Sequence, residues 1–218
     1  MQIAPACQRL VAFLALQHGP TSRATASGTL WPDAPSRHAA HRLRSALWRL
    51  PLTPSGPLVE HGSNALSLTS GLLIDTRLLE QQAAALSATT ASEPVDIPSA
   101  ELLRSELLPE WDEEWLLSAR EWLRQVRLRS LERLCALHCK NGRLDLALEA
   151  GMAAIECEPL RESAHRVVVM VHLADGNSAE ALRQYDLYRT LMRAELGLAP
   201  SEKFRGLLAP LLSRPMDA

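Results

Sequence analysis

Several groups of side chains have types and spacings that could do chemistry. Cys135 and Cys139 fall on one helix face with His138 beside them. Thiolates and an imidazole can hold zinc, but a closed site needs more ligands than these at suitable spacing. Buried structural thiols are the simpler reading. His165 and His172 are seven apart, hence on one face, and without a third ligand they read as helix-surface histidines. Trp111-Asp112-Glu113-Glu114-Trp115 sets three carboxylates between two indoles, the ingredients of sugar binding or of paired glycosidase carboxylates. The simpler reading is again structural. Acids at a helix start favour the macrodipole, and the Trp rings can anchor the helical domain. The glycines at 142 and 176 stand singly in turns, with no phosphate loop, dinucleotide fingerprint or G-x-S-x-G elbow around them. No enzyme, metal site or cofactor is expected.

The remaining group is basic. Arg37, His38, His41, Arg42, Arg44, Ser45 and Arg49 lie in one stretch without an acid. On a wheel of about 100° per residue, Leu43, Leu47 and Leu50 form one stripe, with Ala39, Ala40 and Ala46 as small shoulders. His38, His41, Ser45 and Arg49 lie opposite, flanked by Arg37, Arg42, Arg44 and Trp48. Arg can bond guanine bidentately or pair with phosphates, and Ser and His add donors. Trp48 is expected to pack against a following hairpin, because an exposed apolar ring is costly unless a partner covers it. Charge distribution agrees. Residues 1–59 hold six Arg and one acid, Asp33, for a net +5, against −7 in the remainder of a chain whose net charge is −2. A basic front suits an anionic partner, and a solvated basic helix is the bland alternative.

The elements that position this group follow from punctuation. Gln8–His18 is apolar at helical spacing and is ended by Gly19-Pro20. A short helix runs through Leu30 with Thr21 or Ser22 as its cap, and Trp31-Pro32-Asp33-Ala34-Pro35 breaks it. Ser36 can cap a third helix, Arg37–Leu50. Two short strands, Leu58-Val59-Glu60 and Ala65–Leu68, flank the turn His61-Gly62-Ser63-Asn64. Helix, helix, helix and hairpin is a winged helix-turn-helix order. The second helix crosses the DNA backbone, the third enters the major groove, and His61 and Asn64 of the wing touch the backbone or minor groove.

From Asp75 onward the chain reads as all helix: Asp75–Leu86, a polar loop Ser87–Ala100, then Trp115–Lys140, Arg143–Glu156, Arg161–Ala174, Ser178–Leu196 and Ser201–Leu212. Gly142-Arg-Leu-Asp-Leu-Ala147-Leu148 and Gly176-Asn-Ser-Ala-Glu-Ala181-Leu182 are offset by 34 residues, the tetratricopeptide period. A generic antiparallel bundle is the alternative. The expected division is 1–75 for the winged helix and 76–218 for the helical domain. The 218 residues are 47% hydrophobic, which excludes disorder throughout. No apolar run approaches the roughly 18–20 residues of a membrane span, and the start lacks the features of a signal peptide. The four Cys suit a reducing cytosol.

QRLVAFLALQHGPTSRATASGTLWPDAPSRHAAHRLRSALWRL and LVEHGSNALSLTSGLLID resemble the winged-helix part of the Streptomyces antibiotic regulatory protein family of transcriptional activators. LLPEWDEEWLLSAREWLRQVRLRSLERL, EPLRESAHRVVVMVHLADGNSAEALRQYDLYRTL and ELGLAPS resemble the bacterial transcriptional activation domain that follows it. The resemblance implies a mainly α protein with a tetratricopeptide-like helical domain. It implies a bacterial cytoplasmic, nucleoid-associated activator that binds promoter repeats in double-stranded DNA and engages RNA polymerase; two modules on repeated sites would gain avidity, which makes a dimer on DNA a possible state. The contacts it implies are Arg37, His41, Arg42, Arg44, Ser45 and Arg49. Members usually carry a short antiparallel sheet before the first helix, where this chain has MQIAPAC. That departure implies exposed apolar surface on Gln8–His18. It leaves a second reading open, a protein-interaction adaptor that works through the helical half.

Overall fold

The computed structural model describes residues 3–54, 56–88 and 103–212. The chain divides into two units, Met1–Leu78 with Glu110–Arg120, and Leu79–Pro109 with Glu121–Ala218.

In the first unit, α1 (Pro5–Ala15) opens on a proline, whose missing N–H is no loss in a first helical turn. β1 (Thr21–Ser22) leads into α2 (Arg23–Leu30), and Ser22 Oγ caps it by accepting from Thr25 N at 3.0 Å. α3 covers Ser36–Arg49. Its cap is Pro35, which makes no side-chain bond, so Ser36 is the first helical residue and not the expected cap. β2 (Leu52–Thr53) and β3 (Gly56–Pro57) form a small ribbon in the proline-rich piece that follows α3. β4 (Val59–His61) and β5 (Ala65–Leu68) make the hairpin, and β1 adds to it in the antiparallel order β1-β5-β4. Leu66 stands opposite both Thr21 and His61 and is fully buried. Around it pack Leu10 and Leu14 of α1, Ala26 and Leu30 of α2, and Ala39, Leu43 and Ala46 of α3. Each buried Leu contributes about 1.5–3 kcal/mol by leaving water. The exposure expected on Gln8–His18 is smaller than foreseen: Leu10, Phe13 and Leu14 are buried, and Val11 and Leu16 half-buried.

Beyond the hairpin, α4 covers Asp75–Ala88. The expected loop Ser87–Ala100 is helical at its first two residues, and the rest of it lies outside the described residues. A 3-10 turn, Glu114–Leu116, precedes α5 (Leu117–Lys140), and α6 (Leu144–Cys157), α7 (Glu162–Ala174), α8 (Ser178–Leu196) and α9 (Glu202–Leu212) follow. The 34-residue sequence offset recurs in the backbone. Gly142 and Gly176 both turn left-handed, at φ 70° and 76°. Arg143 N–H reaches back to His138 O at 2.9 Å, and Asn177 N–H to His172 O at 2.8 Å, the same bond one repeat later. Ala147 and Ala181, again equivalent, are fully buried where the helices meet.

The segments EPLRES and ELGLAPS are fastened by carboxylates. Arg161 pairs with Glu132 at 2.6 Å, and Ser163 Oγ donates to the same carboxylate at 2.5 Å. Glu162 accepts from Ser201 N at 2.7 Å and from the Ser201 hydroxyl, which in turn caps α9 by accepting from Phe204 N.

His165 is not a surface residue, as its spacing to His172 suggested. It is fully buried and tilted against Tyr188 at a ring separation of 4.6 Å. Its Nε2 lies 2.8 Å from Pro159 O and its Nδ1 2.8 Å from Gln184 Nε2. These partners suit one neutral tautomer, with Nε2–H donating and Nδ1 accepting. Burial pushes its pKa below the ordinary value, against an opposing pull from the Pro159 carbonyl. Burial and the charge of Arg143 push His138 the same way. The unfolded chain therefore binds these protons more readily. Stability is full above about pH 6.5 and is lost as pH falls through the lowered folded values. We expect the urea midpoint to drop between pH 7 and pH 5, and His165→Leu to flatten that slope. A midpoint unchanged over this range would show that both rings accept a proton without unfolding.

Candidate nucleic-acid interface

The buried face of α3 is Ala39, Leu43 and Ala46, with Leu47 and Leu50 half-buried. The small residues expected as shoulders are its centre. Cys7 of α1 packs there, with Sγ 3.3 Å from Ala46 O. Burial pushes the Cys7 thiol up, against the nearby charge of Arg49. Relative to the leucine stripe the helix is thus rolled by about 40°, since Ala39 and Ala46 replace Leu47 as the inward direction. The outward direction becomes Arg37, His41, Arg44 and Trp48. Trp48 is 87% exposed, so it does not pack against the hairpin as expected.

Arg37, His41, Arg42, Arg44 and Arg49 are all exposed, and Ser45 is half-buried. None of these arginines pairs with a carboxylate among the described residues. They divide between two sides of the helix. His41, Arg42, Ser45 and Arg49 line a hollow of about 250 Å³ beside the start of α1. Arg44 lies on the other side, with Arg23, on a groove of about 660 Å³ between the end of α3 and the hairpin. In the wing, Asn64 is exposed, and its carbonyl accepts from Arg23 N at 3.0 Å, tying the turn to the start of α2. His61 ends β4 opposite Leu66. Arg23 was not singled out by sequence. Its place beside Arg44 depends on β1 joining the hairpin, a pairing of two residues with no pattern of its own.

Arg9, the remaining basic residue of the front, is committed elsewhere. Its Nη2 donates to Glu113 Oε2 at 2.6 Å and to Leu30 O at 2.7 Å. Trp115 Nε1 donates to the same carboxylate at 2.9 Å, and its ring stands edge-on to Phe13 at 5.6 Å. Trp115 therefore anchors in the first unit and not in the helical one, and Glu113 serves as a structural carboxylate. Cys135 is fully buried, its thiol pushed up to about 12 chiefly by burial, and Cys139 is half-buried. No three His, Cys, Asp or Glu gather as metal ligands among the described residues.

A helix-turn-helix with a hairpin wing, followed by paired helices on a 34-residue period, defines a mainly α regulator architecture. The bacterial transcriptional activator domain profile matches residues 74–212, and the chain belongs to that family of transcriptional regulators. It is similar to Regulatory protein AfsR of Streptomyces coelicolor, 29% identical over 208 residues, covering 90% of this chain and 21% of the relative. The chain thus spans about a fifth of that curated protein. Its fold is similar to that of Mycobacterium tuberculosis EmbR, solved in complex with a low affinity phosphopeptide, at a TM-score of 0.68 and 17% identity over all of this chain and 62% of that one. The relative agrees with the resemblance read from the sequence, and the solved structure bears on the fold. No helix among the described residues is long and apolar enough to cross a membrane.

Proposed function

We propose that the chain activates transcription by binding double-stranded promoter DNA in a sequence-selective way through α3 and the wing, and by engaging RNA polymerase through the helical unit. It acts in the bacterial cytoplasm, at the nucleoid, without enzymatic activity. The DNA-binding domain is the front through about residue 75, and the activation domain is the rest. The contacts are Arg37, His41, Arg42, Arg44, Ser45 and Arg49, with His61 and Asn64 on the wing. The observation that carries this reading is the acid-free, outward face of α3 with unpaired arginines along its length. Near the start of a recognition helix side chains meet base edges, which assigns Arg37 and His41 to reading. Arg42, Arg44 and Arg49 supply phosphate contacts and hence most of the affinity. Copies on neighbouring repeats gain avidity from shared occupancy of one duplex.

The test is selection of duplexes from a random pool by the purified chain, followed by anisotropy titration at two salt concentrations. We expect one enriched sequence, bound more tightly than a scrambled duplex, with affinity falling steeply as salt rises. An unenriched pool with no salt-dependent binding would overturn DNA recognition and leave an adaptor working through the helical unit.

A further inference from the structure

The groove between α3 and the hairpin is not explained by helix packing. Leu47, Trp48, Leu50, Leu52, Pro57 and Leu58 line it, and Trp48 and Leu52 are 87% and 76% exposed. An indole and a leucine left this bare at one spot suggest that a partner covers them. Arg23 and Arg44 complete the lining, and no Asp or Glu contributes to it. The combination is apolar walls with two cations among them. It matches a sugar–phosphate strand, whose deoxyribose faces are apolar and whose phosphates are anionic and evenly spaced. It suits base edges less well, because Trp48 lies in the last turn of α3, away from the end that enters the groove.

We infer that this groove clamps one phosphodiester backbone of duplex DNA, with Trp48 and Leu52 packing on deoxyribose and Arg23 and Arg44 pairing the flanking phosphates. This rests on the DNA-binding reading above and adds Arg23, Trp48 and Leu52 to the interface. Arg23 is preset for the task. Ser22 caps its helix, and its own N–H is held by the wing carbonyl of Asn64, so strand, helix and wing position it together. Backbone contacts position the protein and carry no sequence information. The clamp must therefore strengthen binding to every duplex by the same factor.

The experiment compares the full chain with Trp48→Ala, Trp48→Phe and Arg23→Ala on the selected duplex and on a scrambled one, each across a salt series. Trp48 is exposed and packs on little, so its variants fold, which circular dichroism checks. Trp48→Ala should weaken both duplexes about tenfold, the loss of one aromatic face from a covered surface. Trp48→Phe should restore most of it. Arg23→Ala should lower the salt slope on both duplexes by about 0.9, one phosphate contact. A Trp48→Ala loss confined to the selected duplex would overturn the clamp, because the indole would then be reading a base. Unchanged DNA binding in both alanine variants would also overturn it and would assign the patch to a protein partner. If the wild-type chain binds neither duplex, the DNA-binding reading itself fails and the clamp with it.

Discussion

Replacing Arg42, Arg44 and Arg49 together by alanine should lower affinity for duplex DNA by about a thousandfold near physiological salt, on selected and scrambled sequences alike. Each arginine is exposed, and none is paired with a carboxylate among the described residues, so its charge is available to a phosphate. A charged contact to phosphate is worth about a factor of ten or more, and the three lie on separate positions of one helix. The slope of log affinity against log salt should fall by about 2.7, since each phosphate contact releases about 0.9 of a counterion. Arg37→Ala should behave differently. Placed in the first turn of α3, it should reduce affinity for the selected duplex by about 1–3 kcal/mol and leave the scrambled duplex nearly unchanged. Titrations at matched salt separate the two effects. If the triple variant loses only the selected sequence and keeps its salt slope, then these arginines face bases and the division of roles along α3 is wrong.

That comparison is clean because the three positions lie on the solvent side of α3, where alanine removes no buried packing. Which side that is was only half legible. Leucine periodicity located the helix and its approximate inner face, but alanines set the final roll. Ala39 and Ala46 lie inward because α1 comes close enough for Cys7 to reach the Ala46 carbonyl. That closeness depends on two helices meeting, which no local pattern encodes, and it turned Trp48 outward. The repeat was legible for the opposite reason. Gly142 and Gly176 need a left-handed backbone that glycine alone adopts cheaply, so a local demand left a local mark. Glu113 and Arg9 show the other extreme. They are 104 residues apart, and the Trp-flanked acids around Glu113 read locally as sugar chemistry or a helix start, neither of which contains the partner Arg9. His165 likewise carries no sequence sign that Pro159 and Gln184 will enclose both of its ring nitrogens.

Gly151→Ala should destabilise the helical unit even though alanine is the better helix former. Gly151 lies inside α6, and a Cβ there would stand 2.6 Å from Val168 Cγ2 and 3.2 Å from Cys135 Sγ. Neither neighbour yields easily. Val168 and Cys135 are fully buried, and a β-branched side chain in a helix has essentially one rotamer. Overpacking of this kind costs about 1–3 kcal/mol. Helix propensity returns about 1 kcal/mol, so the net loss should reach up to about 2 kcal/mol. Gly151→Val lacks that return and adds two methyl groups at the same point, and it should lose several kcal/mol or fail to fold. The origin of the loss is testable by removing the obstacle. Val168→Ala alone should destabilise, by loss of buried methyl groups. In the Gly151→Ala background it should be less costly by about 1–2 kcal/mol, because the new methyl occupies the vacated space. Urea unfolding followed by far-ultraviolet circular dichroism measures all four corners of this cycle. Strict additivity would mean that α6, α7 and α5 separate freely at this point and that glycine is not required there. The folded Gly151→Ala protein should still bind DNA with wild-type affinity, since α3 belongs to the other unit. A loss of DNA affinity in fully folded protein would instead reveal that the helical unit takes part in DNA binding.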